Sequence, residues 1–218
     1  MSAFEPRDAP SYGPRHATDL IGHGGAEQAF LDAWNGGRAP HAWLICGPPG
    51  IGKSTFAFRA ARFLLTQRAR GGAARADSLH VDPANPVFSR VASRGHADLF
   101  TVERSWDDKR GRWREEIVVE DVRRMARFFS LTSAEGGARV AIIDAADDMN
   151  PNAANAALKT LEEPPPEGFI LMVASAPGRV PATLRSRCRI LRLRPLAESD
   201  VIAVIERQQP EIEPAARL

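Results

Sequence analysis

The sequence predicts an α/β fold, a parallel sheet covered by helices on both faces. Three observations carry that reading. Short apolar runs at 42–46 (AWLIC), 140–143 (VAII, closed by Asp144) and 169–174 (FILMVA) have the composition of strands buried on both sides. Stretches with helical spacing separate those runs, as crossovers between parallel strands require. A glycine-rich turn, GPPGIGKS, joins the first run directly to the next helical stretch.

The elements follow in chain order. Residues 1–13, rich in proline and polar groups, read as a loose tail. At 26–34, Ala26, Ala29, Phe30 and Ala33 recur at helical spacing, and Asn35-Gly36-Gly37 breaks the pattern. Residues 42–46, between His41 and Gly47, form the first strand, and 54–65 the helix after it. A basic low-complexity loop (68–76, RARGGAARA) follows, and the stretch on to His96 shows little periodicity. Residues 98–103 alternate like a strand, 117–119 suggest a short one, and 121–129 are helical.

The strand at 140–144 leads to Asn150-Pro151, a strong helix start in which asparagine caps and proline fits the first turn. Ala154, Ala157, Leu158 and Leu161 then share one face, and three prolines at 164–166 stop the helix. Residues 169–174 and 189–193 are the remaining strands, and 199–208 is the last helix.

The 218 residues carry a formal net charge of +2 with 44% hydrophobic and 26% charged residues, the balance of an ordinary globular chain long enough to bury a core. Cys46 and Cys188 have no neighbours at metal or disulfide-scaffold spacing, which reads as two reduced thiols. The start lacks the apolar segment of a signal peptide, and no apolar run approaches the roughly 18 residues of a membrane span. A cytoplasmic protein with no membrane partner is expected.

Gly47-Pro48-Pro49-Gly50-Ile51-Gly52-Lys53-Ser54 matches G-x-x-x-x-G-K-[ST] in full, after a buried strand and opening a helix. Such a loop wraps phosphates in backbone N–H groups. The lysine neutralises the outer phosphates, the serine hydroxyl ligates Mg²⁺, and the helix N-terminus adds partial positive charge. ATP or ADP with Mg²⁺ is the expected cofactor, held by 47–54 with Thr55. Asp144, at the C-terminal end of a parallel strand, is the natural second Mg²⁺ group. The motif announces nucleotide binding and is silent on hydrolysis.

NAALKTLEEPP (155–165) and TLRSRC (183–188), together with LIGHGGAEQAF from Leu20 and HAWLICGPPGIGKST, resemble the clamp-loader branch of the AAA+ ATPases over about residues 15–195. Within that branch the chain looks most like a bacterial subunit of the DNA polymerase III holoenzyme. The resemblance implies a P-loop AAA+ domain (14–195) with a five-stranded parallel sheet in order 5-1-4-3-2, then the beginning of a helical lid (196–218). It also implies other clamp-loader subunits as partners, with the sliding clamp and primed DNA reached through the complex.

Three departures from the family pattern matter. Ala145 stands where active members carry a catalytic glutamate, as in a branch that commonly lacks it, so a subunit that binds ATP without hydrolysing it is expected. An ATPase in its own right is the alternative, because the loop is intact; a small-molecule P-loop kinase would leave NAALKTLEEPP and SRC without a role. The four cysteines of the family's zinc module are missing, and His80, Asp82 and His96 are too few and scattered to replace them, so no zinc is expected. The chain has no room for a C-terminal collar, which suggests an N-terminal fragment.

The resemblance gives Arg187 of the SRC triplet the role of an arginine finger, reaching across a subunit interface to a neighbour's γ-phosphate. The alternative is an idle basic cluster of Arg185, Arg187 and Arg189 at a helix end, with Arg185 as the natural control. Ser175 occupies the family's sensor position, at the end of its strand. Glu162 and Glu163 read as a solvated face, and SWDDKRGRWREE (105–116), with acids alternating among its bases and two tryptophans, reads as an exposed hairpin.

Overall fold

The structure, a computed structural model, describes residues 13–37, 39–67 and 75–208. Nearly all of the expected N-terminal tail, most of the basic loop at 68–76 and the end of the expected lid segment lie outside the described residues.

The chain runs α1 (Gly24–Asn35), β1 (Ala42–Cys46), α2 (Lys53–Thr66), α3 (Pro86–Ala92), β2 (Leu99–Val102), β3 (Trp106–Asp107), β4 (Arg112–Trp113), α4 (Val119–Ser130), β5 (Arg139–Asp144), α5 (Pro151–Glu162), β6 (Gly168–Ala174), α6 (Ala182–Arg185), β7 (Arg189–Arg192) and α7 (Glu198–Gln208). Five strands form one parallel sheet in the order β2-β5-β6-β1-β7. Counted along the chain and read from the other edge, this is the expected 5-1-4-3-2.

Because neighbouring residues of a strand point to opposite faces, the all-apolar strands feed two cores. Trp43, Ile45, Ile142 and Leu171 pack with Phe30, Phe56, Phe63 and Leu64 of α1 and α2. Ala42, Leu44, Ile143 and Met172 pack with Val122, Met125, Ala157 and Leu161 of α4 and α5. The strand ends are thereby locked in register, which fixes the turns that follow them. No helix among the described residues is long and apolar enough to cross a membrane.

Two local expectations are corrected. The weakly periodic stretch before His96 holds α3, begun by the same device as α5. Asn85 Oδ1 accepts the Val87 N–H at 2.9 Å with Pro86 first in the helix, as Asn150 Oδ1 accepts the Ala153 N–H at 2.9 Å before Pro151. Residues 117–119 are not a strand: Ile117 makes a single bridge to Met149, and Val119 already belongs to α4. The hairpin expectation holds, with β3 and β4 antiparallel and Trp106 edge-on to Trp113 in a ribbon that exposes both.

Candidate functional site

A crevice of about 640 Å³ opens at the C-terminal edge of the sheet. It is lined by residues 49–55, Asp144, Ala145, Val173, Ser175, residues 16–21, and Leu196, Val204 and Arg207 from the far wall. Its volume suits a nucleotide-sized ligand. It brings together nearly all the residues that the sequence put forward for cofactor binding; Gly47 and Pro48 do not line it.

The loop between β1 and α2 owes its shape to its glycines. A Cβ on Gly47 would come within 2.6 Å of the Leu193 carbonyl oxygen, so this close approach admits only glycine. Gly52 takes a left-handed conformation (φ 94°) immediately before α2, turning the chain so that Lys53 opens the helix. Lys53 is buried and its Nζ donates to the Pro48 carbonyl at 2.6 Å, within the curve of the loop. Burial pulls this ammonium below the ordinary lysine range, against the opposing pull of the Asp147 and Asp144 carboxylates. From outside the loop, His23 Nε2 donates to the Ile51 carbonyl at 2.7 Å.

Asp144 ends β5 and is joined by a hydrogen bond to the Ser54 side chain. Burial raises its carboxyl above the usual range, while the Ser54 bond and the Lys53 charge lower it. A hydroxyl and a carboxylate so joined are the hard oxygen donors that suit Mg²⁺. Among the described residues, this site included, no group of three or more His, Cys, Asp or Glu is arranged to hold a metal ion. Ala145 lines the crevice next to Asp144 and offers no polar group.

Residues that the sequence reading did not single out, and that do not themselves line the crevice, hold its walls in place. Arg62 of α2, buried, donates to the Arg15 carbonyl at 2.9 Å and the Ala17 carbonyl at 2.6 Å. Arg59 bonds the Thr18 carbonyl and the Glu27 carboxylate. These bonds carry the segment before α1 onto the crevice wall. Asp147, in the short 3₁₀ turn after β5, is buried, and its Oδ2 accepts the N–H groups of Ser175 (3.1 Å) and Ala176 (2.7 Å). Ser175 is therefore held beside Asp144 and Lys53 by a carboxylate 28 positions earlier. Nothing in DAADDMN distinguishes Asp147 from its acidic neighbours; only the return of β6 alongside β5 does.

Removing that carboxylate strands two backbone donors. Asp147→Ala is expected to destabilise the fold by about 3 kcal/mol, and Asp147→Asn, which keeps an acceptor, by about half as much, read from urea denaturation midpoints.

Arg187 does not line the crevice. It sits two residues before β7, whose first residue, Arg189, pairs with Trp43 near the start of β1. In a parallel sheet this is the edge opposite the strand ends that hold the phosphate loop. There its Nη2 lies 2.7 Å from Glu162 Oε1 at the end of α5, and its Nη1 donates to the Thr183 carbonyl at 3.0 Å. Glu162 and Glu163 are both exposed, as the solvated face read from the sequence requires, and Glu162 carries this contact in addition. Arg185 is not an idle cation either. Its Nη1 donates to the carbonyls of Pro177 (2.9 Å) and Val180 (3.0 Å), pinning the turn after Ser175. It is a structural residue and a poor control for Arg187.

A family model described as "DNA polymerase III, delta subunit" matches residues 22–197. Two curated relatives carry the name "DNA polymerase III subunit delta'". The Pseudomonas aeruginosa protein is 36% identical over 155 residues, 70% of this chain and 43% of its own length. The Escherichia coli protein is 31% identical over 182 residues, 83% of this chain and 50% of its own length. The chain thus spans about half the length of the curated relatives it matches. Among solved structures, the Thermotoga maritima RuvB Holliday junction branch migration motor superposes with a TM-score of 0.55 at 20% identity, covering 94% of this chain and 58% of that one, a likeness of fold.

Proposed function

Because the chain belongs to the DNA polymerase III delta-prime subunit family, we propose that it acts as a clamp-loader subunit that binds nucleotide passively and supplies Arg187 to a neighbouring subunit's ATP. In this reading residues 14–195 are its AAA+ domain, 196–218 begin its lid, and its partners are the other loader subunits, with the sliding clamp and primed DNA reached through the complex.

One observation carries the reading. Arg187 lies at the sheet edge opposite the crevice, so it cannot serve a nucleotide held by its own phosphate loop. Against a neighbour's nucleotide, a guanidinium can donate to two phosphate oxygens at once and stabilise the charge that develops in phosphoryl transfer. Within the chain's own crevice, Lys53 and the loop N–H groups would bind the phosphates, and Ser54 and Asp144 would hold Mg²⁺. The metal would supply charge neutralisation. Ser175 would sense the outermost phosphate from the turn that Asp147 holds.

Hydrolysis at this site lacks a base. Ala145 carries no side-chain group to orient a water where the family pattern has a glutamate, and Asp147 is buried with its Oδ2 taken by two backbone N–H groups. The purified chain, incubated with Mg-ATP, is expected to release phosphate no faster than the Lys53→Ala variant. Turnover abolished by that substitution would instead establish an ATPase in its own right.

A further inference from the structure

We propose that Glu162 is a positioning residue for Arg187, orienting its guanidinium for the neighbouring subunit's nucleotide. The inference rests on the reading of Arg187 as a finger acting in trans.

An arginine side chain free to rotate samples many rotamers, and the entropy of fixing one is lost each time it engages a phosphate. Arg187 is instead anchored at both terminal nitrogens, on Glu162 Oε1 at 2.7 Å and on the Thr183 carbonyl at 3.0 Å, with the Ser186 hydroxyl at 3.5 Å. A guanidinium has five N–H groups, so these anchors leave donors for an incoming oxygen anion.

The anchor is itself held. Glu162 is the last residue of α5; one position earlier the Leu161 carbonyl accepts from His41 Nε2 at 3.0 Å, and prolines follow from 164. An acid in the last turn of a helix runs against the helix dipole, and an exposed ion pair contributes little to stability. The side chains of Arg187 and Glu162 are 38% and 49% exposed, so the pair serves orientation rather than folding. That same exposure places the Glu162 charge in water, where its repulsion of an approaching phosphate is screened.

The test uses the full-length subunit reconstituted with its ATPase partners, measuring clamp- and DNA-stimulated ATP turnover against ATP concentration. The component of kcat lost in Arg187→Ala defines the finger's contribution. Glu162→Ala is expected to reduce that component about tenfold through misorientation, with KM for ATP and the chain's own nucleotide affinity unchanged. Its thermal midpoint should move by less than about 3 °C. Glu162→Gln, which keeps an acceptor, should recover most of the activity. In the Arg187→Ala background Glu162→Ala should add nothing.

Parental turnover in Glu162→Ala alongside an impaired Arg187→Ala would overturn the positioning role and leave the finger intact. A rise in turnover, or an additive loss in the double variant, would overturn it equally. No effect of Arg187→Ala would remove the finger itself, and the inference with it.

Discussion

Replacing Arg187 by alanine is expected to leave the chain's own fold and nucleotide affinity essentially as they are while cutting the stimulated ATPase of the assembled loader. The first half follows from position: Arg187 does not line the crevice, and its ion pair with Glu162 is exposed, so its removal should cost less than about 0.5 kcal/mol. The second half follows from chemistry, because an arginine finger is worth about 10³–10⁵ in rate at the site it serves.

The complex as a whole should lose only part of its turnover, since sites that do not depend on this arginine continue to work. Arg189→Ala is the proper control. It is exposed at the same sheet edge, has the same charge and lies outside the SRC triplet. Equal losses from both substitutions would reduce the effect to bulk positive charge, and an unaffected complex would exclude the finger. Arg185→Ala cannot serve, because it releases the carbonyls of Pro177 and Val180 and loosens the turn after Ser175.

The second large effect concerns Lys53. Lys53→Ala is expected to weaken Mg-ATP or Mg-ADP binding by about tenfold to a hundredfold, the equivalent of one or two charge-assisted hydrogen bonds to phosphate. Isothermal calorimetry on the isolated chain reads it directly. The Lys53 ammonium sits within the loop and donates to the Pro48 carbonyl, so the substitution removes the one cationic side chain of 47–55 without touching the strand or the glycines that shape the loop. Thermal unfolding of the variant without nucleotide should show the fold intact. Equal affinity in parent and variant would mean that the loop does not hold phosphate, and the passive-binding part of the proposal would fall.

By itself the sequence determined the parallel sheet, the phosphate loop and the start of α5. These depend on near neighbours: unbroken apolar runs, a glycine spacing, an asparagine followed by proline. The strand order came from the resemblance carried by NAALKTLEEPP and SRC, and the sheet has that order. Local signals also misled. At 117–119 β-branched residues suggested a strand, but they lie where a loop enters α4, and the same Asn-Pro start that revealed α5 went unread at Asn85-Pro86 because α3 is only seven residues long.

What only the tertiary structure decided are the pairings between residues far apart in the chain. Ser175 reaches Asp147, Arg62 the segment before α1, and Arg187 Glu162. Each requires two elements to be brought side by side by burial of their apolar faces, and no local pattern encodes which polar side chain then meets which. For the same reason the sequence could name Arg185 and Arg187 as neighbours with equal charge. Packing alone separates them, because one points its guanidinium at the backbone carbonyls of the turn after Ser175 and the other holds it at the surface against a carboxylate.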